Sequence, residues 1–247
     1  MHALIVDGFA MLGALAVASL VSLLLMGVLI SVWLGPEVRA CFERDPAARN
    51  IAEILLTYSG LHAVAGYRVA HLLEGWHIPV LPRFLMTLVR WLTGIEIHPA
   101  AQIGRGLFID HGMGVVIGET AVIGHNVTLF QGVTLGGTGK QRGKRHPTLG
   151  NGVVIGTGAK VLGNITVGDN AMIGANAVVI RNVPANSTVV GVPGRITRTD
   201  DRHFPGINLD HTHLPDPLTE RLEKLQHEID AIEHHLKEFR QSKPPHH

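Results

Sequence analysis

The feature that most constrains the fold of this chain is a six-residue repeat of apolar side chains between Ile97 and Ile196. Neither the 3.6-residue period of a helix nor the two-residue alternation of a simple strand keeps a six-residue phase for so long. A β-sandwich would show period-two strands with turns about every 8–12 residues. The repeat instead is typical of a parallel β-helix. Its positions are Ile97, Ile103, Ile109, Ile117, Ile123, Leu129, Leu135, Leu149, Ile155, Val161, Val167, Ile173 and Val179.

Such a repeat predicts a prism with three flat sides. Each hexapeptide forms a short strand and a corner, and three of them complete one coil. The apolar side chain points into the prism, while Gly or Asn takes the corner because corners often need a positive φ. Stacked coils share backbone hydrogen bonds at a spacing of roughly 4.8 Å. The sequence therefore predicts a mainly β domain over residues 96–196.

Two segments interrupt the repeat, and breaks in a solenoid are where binding and catalytic residues are commonly inserted. In the first, Ile109–Gly114, two extra residues shift the phase. The second, Gly136–Pro147, is a polar and basic excursion rich in glycine. We therefore expect the functional residues to cluster at these two breaks.

At these breaks the chain resembles the serine acetyltransferase family, and the resemblance covers about residues 41–196. It implies a left-handed β-helix that moves an acetyl group from acetyl-CoA to L-serine, giving O-acetyl-L-serine for cysteine synthesis, without a metal ion. The matching segments are Arg44-Asp45-Pro46-Ala47, Gly60-Leu61-His62-Ala63, Tyr67-Arg68, Ile97-His98-Pro99-Ala100-Ala101, Asp110-His111-Gly112, Val116-Ile117-Gly118-Glu119-Thr120, Gln131 to Lys140, and Arg145-His146-Pro147.

Acyl transfer to a hydroxyl needs a base that works near neutral pH, and histidine, with an ordinary pKa of about 6.5, suits that task. His111 lies at the first break and in the matched motif, so it is the predicted base. Glu96, where the family commonly has aspartate, precedes it by nearly one coil and is predicted to orient it. Asp110 is the other candidate partner, but neighbouring side chains of an extended backbone point apart.

The resemblance also assigns the residues that select the amino acid. It places Asp45 and Asp110 at the ammonium of serine, and Arg145, with His146 beside it, at the carboxylate. A guanidinium can bind both oxygens of a carboxylate at once. Asp45 also has a purely structural interpretation, as the cap of a helix with proline at its first position. The remaining cations of the excursion are interpreted as solubilising charges: Lys140, Arg142 and Lys144.

Acetyl-CoA is expected to lie along the coils after the excursion, because small corner residues let a pantetheine chain approach the backbone. No serine or cysteine lies in a nucleophile setting, so direct transfer in a ternary complex is predicted rather than an acyl-enzyme. The predicted contacts are Gly137, Thr157, Gly158, Ala159, Gly174 and Ala175 for the pantetheine chain and Lys160 and Arg195 for the phosphates.

Several other functions remain open at this point. One is a hexapeptide acetyltransferase acting on another hydroxyl or amino acceptor, and another is a non-catalytic scaffold. A γ-type carbonic anhydrase would need three metal-binding histidines, and His98, His111 and His125 contain no His-x4-His pair. A net charge of +1 and few aromatic residues give no indication of a nucleic-acid surface. The single cysteine, Cys41, excludes a disulfide framework within the chain.

The segment Gly8–Pro36 contains no charged side chain. About 20 apolar residues suffice to span a bilayer, so residues 10–34 are predicted to anchor the chain in a membrane. The arginines that follow place the catalytic domain on the cytoplasmic side. A buried helix in a multi-subunit bundle is the alternative. The predicted regions are the hydrophobic helix at 1–36, a helical domain at 37–95, the β-helix at 96–196, a linker at 197–217 and a coiled-coil-like helix at 218–241.

The C-terminal region predicts a heptad seam with charged flanks. A lone helix of three heptads is marginal in water, so its apolar stripe is expected to wind with two copies near the axis of a trimer. The alternative is that the helix folds back on its own subunit. The family often pairs trimers through a longer N-terminal domain and binds a sulfhydrylase through a C-terminal isoleucine; neither is expected here. The seam comprises Leu218, Leu222, Leu225, Ile229, Ile232, Leu236 and Phe239.

Overall fold

The computed structural model describes residues 33–139, 142–199, 222 and 224–234. Its helices are α1 at residues 33–44, α2 (Ile51–Thr57), α3 (Ser59–Gly75), α4 (Leu81–Thr93) and α5 at residues 224–234. Its strands are β1 (Glu96–Ile97), β2 (Gln102–Ile103), β3 (Phe108–Ile109), β4 (Val116–Ile117), β5 (Val122–Ile123), β6 (Thr128–Leu129), β7 (Thr134–Gly136), β8 (Thr148–Leu149), β9 (Val154–Ile155), β10 (Lys160–Leu162), β11 (Thr166–Val167), β12 (Met172–Ile173), β13 (Val178–Val179), β14 (Ser187–Val190) and β15 (Arg195–Thr199).

The strands wind into the left-handed parallel β-helix that the sequence predicts. They form three sheets, in the orders β1-β4-β7-β10-β13, β2-β5-β8-β11 and β3-β6-β9-β12-β14-β15. Neighbours up to β14 are parallel, and β15 turns back antiparallel to β14. We call the first sheet the front face. The chain enters this face at its entry edge, from the third sheet, and leaves it at its exit edge, toward the second sheet; the rear edge joins the other two sheets.

Each side of the prism contributes two inward-pointing rows of apolar side chains, and these rows fill the interior. The row predicted from the six-residue repeat is buried throughout, from Ile97 to Val179. A second buried row lies two residues before the first and is mostly Ala and Val, including Ala121, Val133 and Ala159. Corner residues take the left-handed conformation as predicted, with φ 57° at Asn126 and 73° at Gly106.

Helices α3 and α4 close the open end of the first coil. The Tyr67 hydroxyl donates to Ala101 O at 2.5 Å, Arg68 Nη1 to Ile103 O at 2.6 Å, and His71 Nδ1 contacts Pro99 O at 2.7 Å. Gly60 lies so close to the third sheet that an added Cβ would stand 2.1 Å from Ile109 O. This contact brings the N-terminus of α3 to the entry edge, beside His111. We call this end of the prism, covered by α3 and α4, the cap.

Helix α1 lies against the outer side of the third sheet and is fixed by buried charges. Arg44 Nη1 donates to Gly106 O and Val127 O, both at 3.1 Å, on the first and second coils. Glu37, two turns earlier, accepts from Arg68 Nη2 at 2.9 Å. Glu37 Oε1 also accepts from Gly106 N at 3.3 Å, and Cys41 shares a buried apolar cluster with Phe108 of β3. Helix α1 therefore crosses the outer side of the third sheet from the rear edge toward the entry edge, and its N-terminal end lies beside the cap.

The helical region differs from the sequence-based expectation at two places. Helix α1 covers residues 33–44 and so crosses the predicted boundary at 36 between the hydrophobic helix and the helical domain. Asn50, not Asp45, caps α2, because its Oδ1 accepts from the N–H of Glu53 at 2.9 Å. Asp45 instead closes a turn by accepting from the N–H of Ala47 at 2.8 Å.

Across residues 33–139, 142–199 and the described part of α5, no helix combines the length and apolarity that a bilayer span requires. The predicted anchor at residues 10–34 lies almost wholly outside these residues, as does most of the predicted linker. The described part of the heptad seam is helical, and its side chains are exposed: Leu222, Leu225, Ile229 and Ile232.

Candidate active site

The first break in the repeat forms a left-handed turn at the entry edge. His111 has φ 56°, and Gly112 and Gly114 on its C-terminal side are also left-handed. The side chain of His111 is exposed, and the backbone is held because Ser59 Oγ donates to His111 O at 3.0 Å. His111 Nε2 lies 4.0 Å from Asp110 Oδ1. Asp110 was expected to point away, but the expectation assumed an extended backbone, which this turn does not have.

Two aspartates meet near His111 in front of α1 and α3. Asp45 Oδ2 accepts a 2.5 Å hydrogen bond from the hydroxyl of Tyr58. Burial raises the pKa of Tyr58 well above its ordinary value, and the hydrogen bond to Asp45 is the next largest cause. The hydroxyl therefore stays protonated and remains a donor. Burial, followed by the charges of Asp45 and Asp110, raises the pKa of the Cys41 thiol to about 11. The influence of both carboxylates on one thiol places Asp45 and Asp110 in a common acidic region.

Glu96 lies directly beneath the His111 turn. Its N–H donates to Val115 O at 2.9 Å, and Gly94 O accepts from Gly114 N at 2.9 Å, so the coil of Glu96 stacks under the coil of His111. The carboxylate itself pairs with Arg90, with Glu96 Oε2 2.8 Å from Arg90 Nη1. The structure thus brings the backbones of the predicted pair together, while the carboxylate is held by a cation from α4.

The excursion places Arg145 and His146 at the exit edge, against the corner after β4. Arg145 Nη2 forms a short ion pair with Glu119, which lowers the pKa of that carboxyl. His146 Nδ1 accepts from the N–H of Thr120 at 3.1 Å and lies 2.9 Å from Thr120 Oγ1. Burial, followed by the charge of Arg145, lowers the pKa of His146. His146 is therefore neutral near pH 7, with its proton on Nε2.

Two glycines make room for the buried ring of His146. A Cβ added at Gly118 would stand 2.0 Å from His146 Cδ2, and one at Gly137 would stand 3.1 Å from His146 Nε2 and from Arg145 Cγ. Each glycine lies one or two residues after an inward-pointing strand residue, at a corner where the fold already favours small residues. The excursion thus depends on the absence of side chains beneath it.

The predicted substrate residues therefore form two groups on opposite edges of the front face. Asp45, Asp110 and His111 lie at the entry edge, whereas Arg145 and His146 lie at the exit edge, with β4 between them. Within one subunit, the two groups that are expected to bind one small amino acid are thus separated by the width of the front face.

The predicted CoA contacts are distributed over the front face. Thr157, Gly158 and Ala175 lie on the entry edge, in the same column of corners as His111. Lys160 lies in the front face and donates to Gly132 O. Gly137 opens the excursion at the exit edge, Gly174 is buried in a corner, and Arg195 is exposed at the start of β15.

Ala159 differs from the other predicted CoA contacts. Its side chain is buried in the second apolar row, and its backbone N–H and carbonyl pair with Gly156 and Thr134 within the coils. It therefore offers no free group to a ligand. The sequence-based expectation treated every small residue of this corner as surface and missed the second inward row.

Other residues that shape the site were missed by the sequence reasoning. Tyr58 and Thr120 hold predicted site residues, and Glu119 pairs with Arg145. Lys144, which was expected to be a solubilising charge, donates through Nζ to Thr120 O at 2.7 Å. Glu119 and Thr120 belong to a segment that resembles the family, and this resemblance is the one sequence signal for them. No sequence signal points to Tyr58.

The histidines of the carbonic anhydrase alternative do not converge. His98 lies at the exit edge, His111 at the entry edge, and His125 at the rear edge, where its Nδ1 accepts from Arg105 N at 3.1 Å. One subunit therefore cannot gather these three rings around a single ion.

Comparison with known proteins agrees with this geometry. A family model described as bacterial transferase hexapeptide (six repeats) matches residues 146–181. Serine acetyltransferase of Synechococcus elongatus is 56% identical over 204 residues, covering 82% of each chain.

Solved serine acetyltransferases share the fold. That of Neisseria gonorrhoeae in complex with serine is 45% identical with a TM-score of 0.65, over 68% of this chain and 69% of that one. That of Brucella abortus in complex with coenzyme A is 45% identical with a TM-score of 0.65, over 68% and 67%. Identity of this extent, over most of the chain and a shared fold, establishes that this chain belongs to the serine acetyltransferase family.

Proposed function

We propose that the chain transfers the acetyl group of acetyl-CoA to the hydroxyl of L-serine, giving O-acetyl-L-serine and CoA, the first step of cysteine biosynthesis. The observation that carries the proposal is the arrangement around His111. An exposed imidazole lies on a left-handed turn, beside an acidic region, in the column of small corners that leads to Thr157 and Ala175. Relatives with the same fold bind serine and coenzyme A.

In the proposed reaction His111 acts as general base. It takes the proton from the serine hydroxyl as the oxygen attacks the thioester carbonyl carbon, and the C–S bond then breaks. The imidazolium returns the proton to the departing thiolate, so the protein is unchanged at the end of the cycle. Asp45 and Asp110 bind the ammonium group, while Arg145 and the Nε2–H of His146 bind the carboxylate.

Glu96 is proposed to orient His111 during the reaction. Its present partner, Arg90, is exposed, and ion pairs between exposed side chains contribute only about 0–1 kcal/mol. The carboxylate can therefore exchange Arg90 for the imidazole at little cost. The stacking of Glu96 beneath the His111 turn supports this exchange.

The site is proposed to be shared between neighbouring subunits of a trimer. The separation of Asp45, Asp110 and His111 from Arg145 and His146 supports this, because the exit edge of one subunit set against the entry edge of the next completes a serine site. The exposed apolar stripe of α5 favours the same assembly, since a helix of this length needs partners to bury it. Residues 10–34 are proposed to tether the trimer to the inner face of a membrane.

The function is tested by measuring CoA release from acetyl-CoA in the presence of L-serine, for the wild-type chain and for His111→Ala. Loss of a general base costs roughly 10²–10⁴-fold in rate, so His111→Ala should lose at least about two orders of magnitude in kcat. His125→Ala, on the rear edge, is the matched control and should keep the wild-type rate. Absence of CoA release from the wild type would refute the function, whereas full activity of His111→Ala would refute only the assignment of the base.

A further inference from the structure

We propose that the cap is a membrane-binding surface, through which α4 lies in the interface of an anionic lipid bilayer. This goes beyond a tether made by the N-terminal segment, because it fixes how the prism stands on the membrane. It does not depend on the acetyl-transfer chemistry.

Helix α4 is apolar on both of its faces. Its inner face buries Pro82, Met86, Val89 and Thr93 against α3 and the first coil. Its outer face carries a stripe of large apolar residues spaced three and four apart, which is the spacing of one helical face. The stripe is exposed, with Trp91 82% and Leu92 85% accessible. It comprises Leu81, Phe84, Leu88, Trp91 and Leu92, and the adjoining turn adds exposed Trp76 and Val80.

The charges beside the stripe favour a lipid surface. Between Gly75 and Gly94 the sequence contains two arginines and no aspartate or glutamate. Helices that lie in the bilayer interface combine Trp, Phe and Leu on one face with basic residues that meet anionic headgroups. One of the two, Arg90, pairs with Glu96, but that pair is exposed and weak, so both arginines can face anionic headgroups.

The position of α1 connects this surface to the N-terminal segment. Glu37 is bound both to Arg68 of α3 and to Gly106 of the first coil, and Trp33, the first described residue of α1, lies about one helical turn or roughly 6 Å before it. The charge-free segment Gly8–Pro36 therefore joins the folded domain at the end that carries the exposed stripe. A membrane anchor that leaves the domain there brings α4 to the bilayer surface.

The chain provides its own probe, because its three tryptophans, Trp33, Trp76 and Trp91, are all exposed and belong to this end. In the full chain, Trp33→Phe with Trp76→Phe leaves Trp91 as the only reporter. We expect its emission to shift to shorter wavelength and to be quenched when phosphatidylcholine–phosphatidylglycerol vesicles with brominated acyl chains are added. The shift should weaken with pure phosphatidylcholine, because the arginines then lose their anionic partners.

The matched control moves the reporter to the far end of the prism. Ile180→Trp, with all three native tryptophans changed to Phe, places an exposed indole at the last full coil, and its emission should not respond to vesicles. Co-flotation of the protein with vesicles while Trp91 emission stays unchanged would overturn the proposal, because only the N-terminal segment would then bind. Equal quenching at Ile180→Trp, or a Trp91 shift that follows protein concentration without vesicles, would also overturn it, in the latter case in favour of a second copy.

Discussion

At the scale of the residue, Glu96 has two possible partners, and a pair of substitutions separates them. Glu96→Gln should lower kcat roughly tenfold or more, because the imidazole loses the carboxylate that orients it and stabilises its charged form. Arg90→Gln should leave kcat within about twofold and the free energy of unfolding within about 1 kcal/mol, because the pair is exposed.

Steady-state rates and chemical denaturation of the two variants check this prediction. If both substitutions lower kcat equally, Glu96 acts only through its pair with Arg90. In that case Asp110, whose Oδ1 lies 4.0 Å from His111 Nε2, becomes the orienting carboxylate, and Asp110→Asn is the variant that identifies it.

At the scale of the element, each corner of the β-helix either keeps the coils in contact or carries a functional side chain. Gly104 and Gly118 both follow an inward-pointing isoleucine, but they face different neighbours. An added Cβ at Gly104 would meet the backbone, 2.5 Å from Gly124 O, whereas one at Gly118 would meet the ring of His146.

The two glycines should therefore respond differently to the same substitution. Gly118→Ala is expected to raise the KM for serine several-fold by displacing His146, with little change in thermal stability, since a side chain moves more readily than a coil. Gly104→Ala should lower the free energy of unfolding by roughly 1–3 kcal/mol, because two coils must separate, with little change in KM. Thermal melts and serine titrations of both variants test this, and a melt of Gly118→Ala as destabilised as that of Gly104→Ala would argue against it.

At the scale of the whole molecule, the division of the site between two edges predicts that inactive subunits can complement each other. His111→Ala and Arg145→Ala should each be nearly inactive alone. In every trimer that contains both variants, one of the three shared sites combines an intact His111 with an intact Arg145, so roughly a third of the wild-type activity should return in purified mixed trimers.

The measurement is CoA release after co-expression of the two variants with different affinity tags and sequential purification. His111→Ala mixed with a second His111→Ala chain is the control and should recover nothing. Recovery that is absent from purified mixed trimers would mean that each subunit holds a complete site. A monomer by light scattering would remove both the shared site and the α5 coiled coil.

The sequence alone determined the β-helix, because every coil repeats the same local requirement. An inward apolar residue and a corner tolerant of positive φ recur within six residues, so neighbours in sequence decide the fold. The two breaks were visible for the same reason, as departures from that period, and they marked His111 and Arg145. The prediction that Gly or Asn takes the corners depends only on chain neighbours, and it is confirmed at Asn126 and Gly106.

Contacts between distant segments were decided only by the tertiary structure. Tyr58 reaches Asp45, Arg44 reaches the second coil, and Glu96 finds Arg90 on α4, none of which has a periodic signal in the sequence. A small residue such as Ala159 can suit either a corner or the core, and only the packing shows that its side chain is buried. Sequence period fixes which residues face inward along a repeat, whereas long-range packing fixes which side chains meet across it.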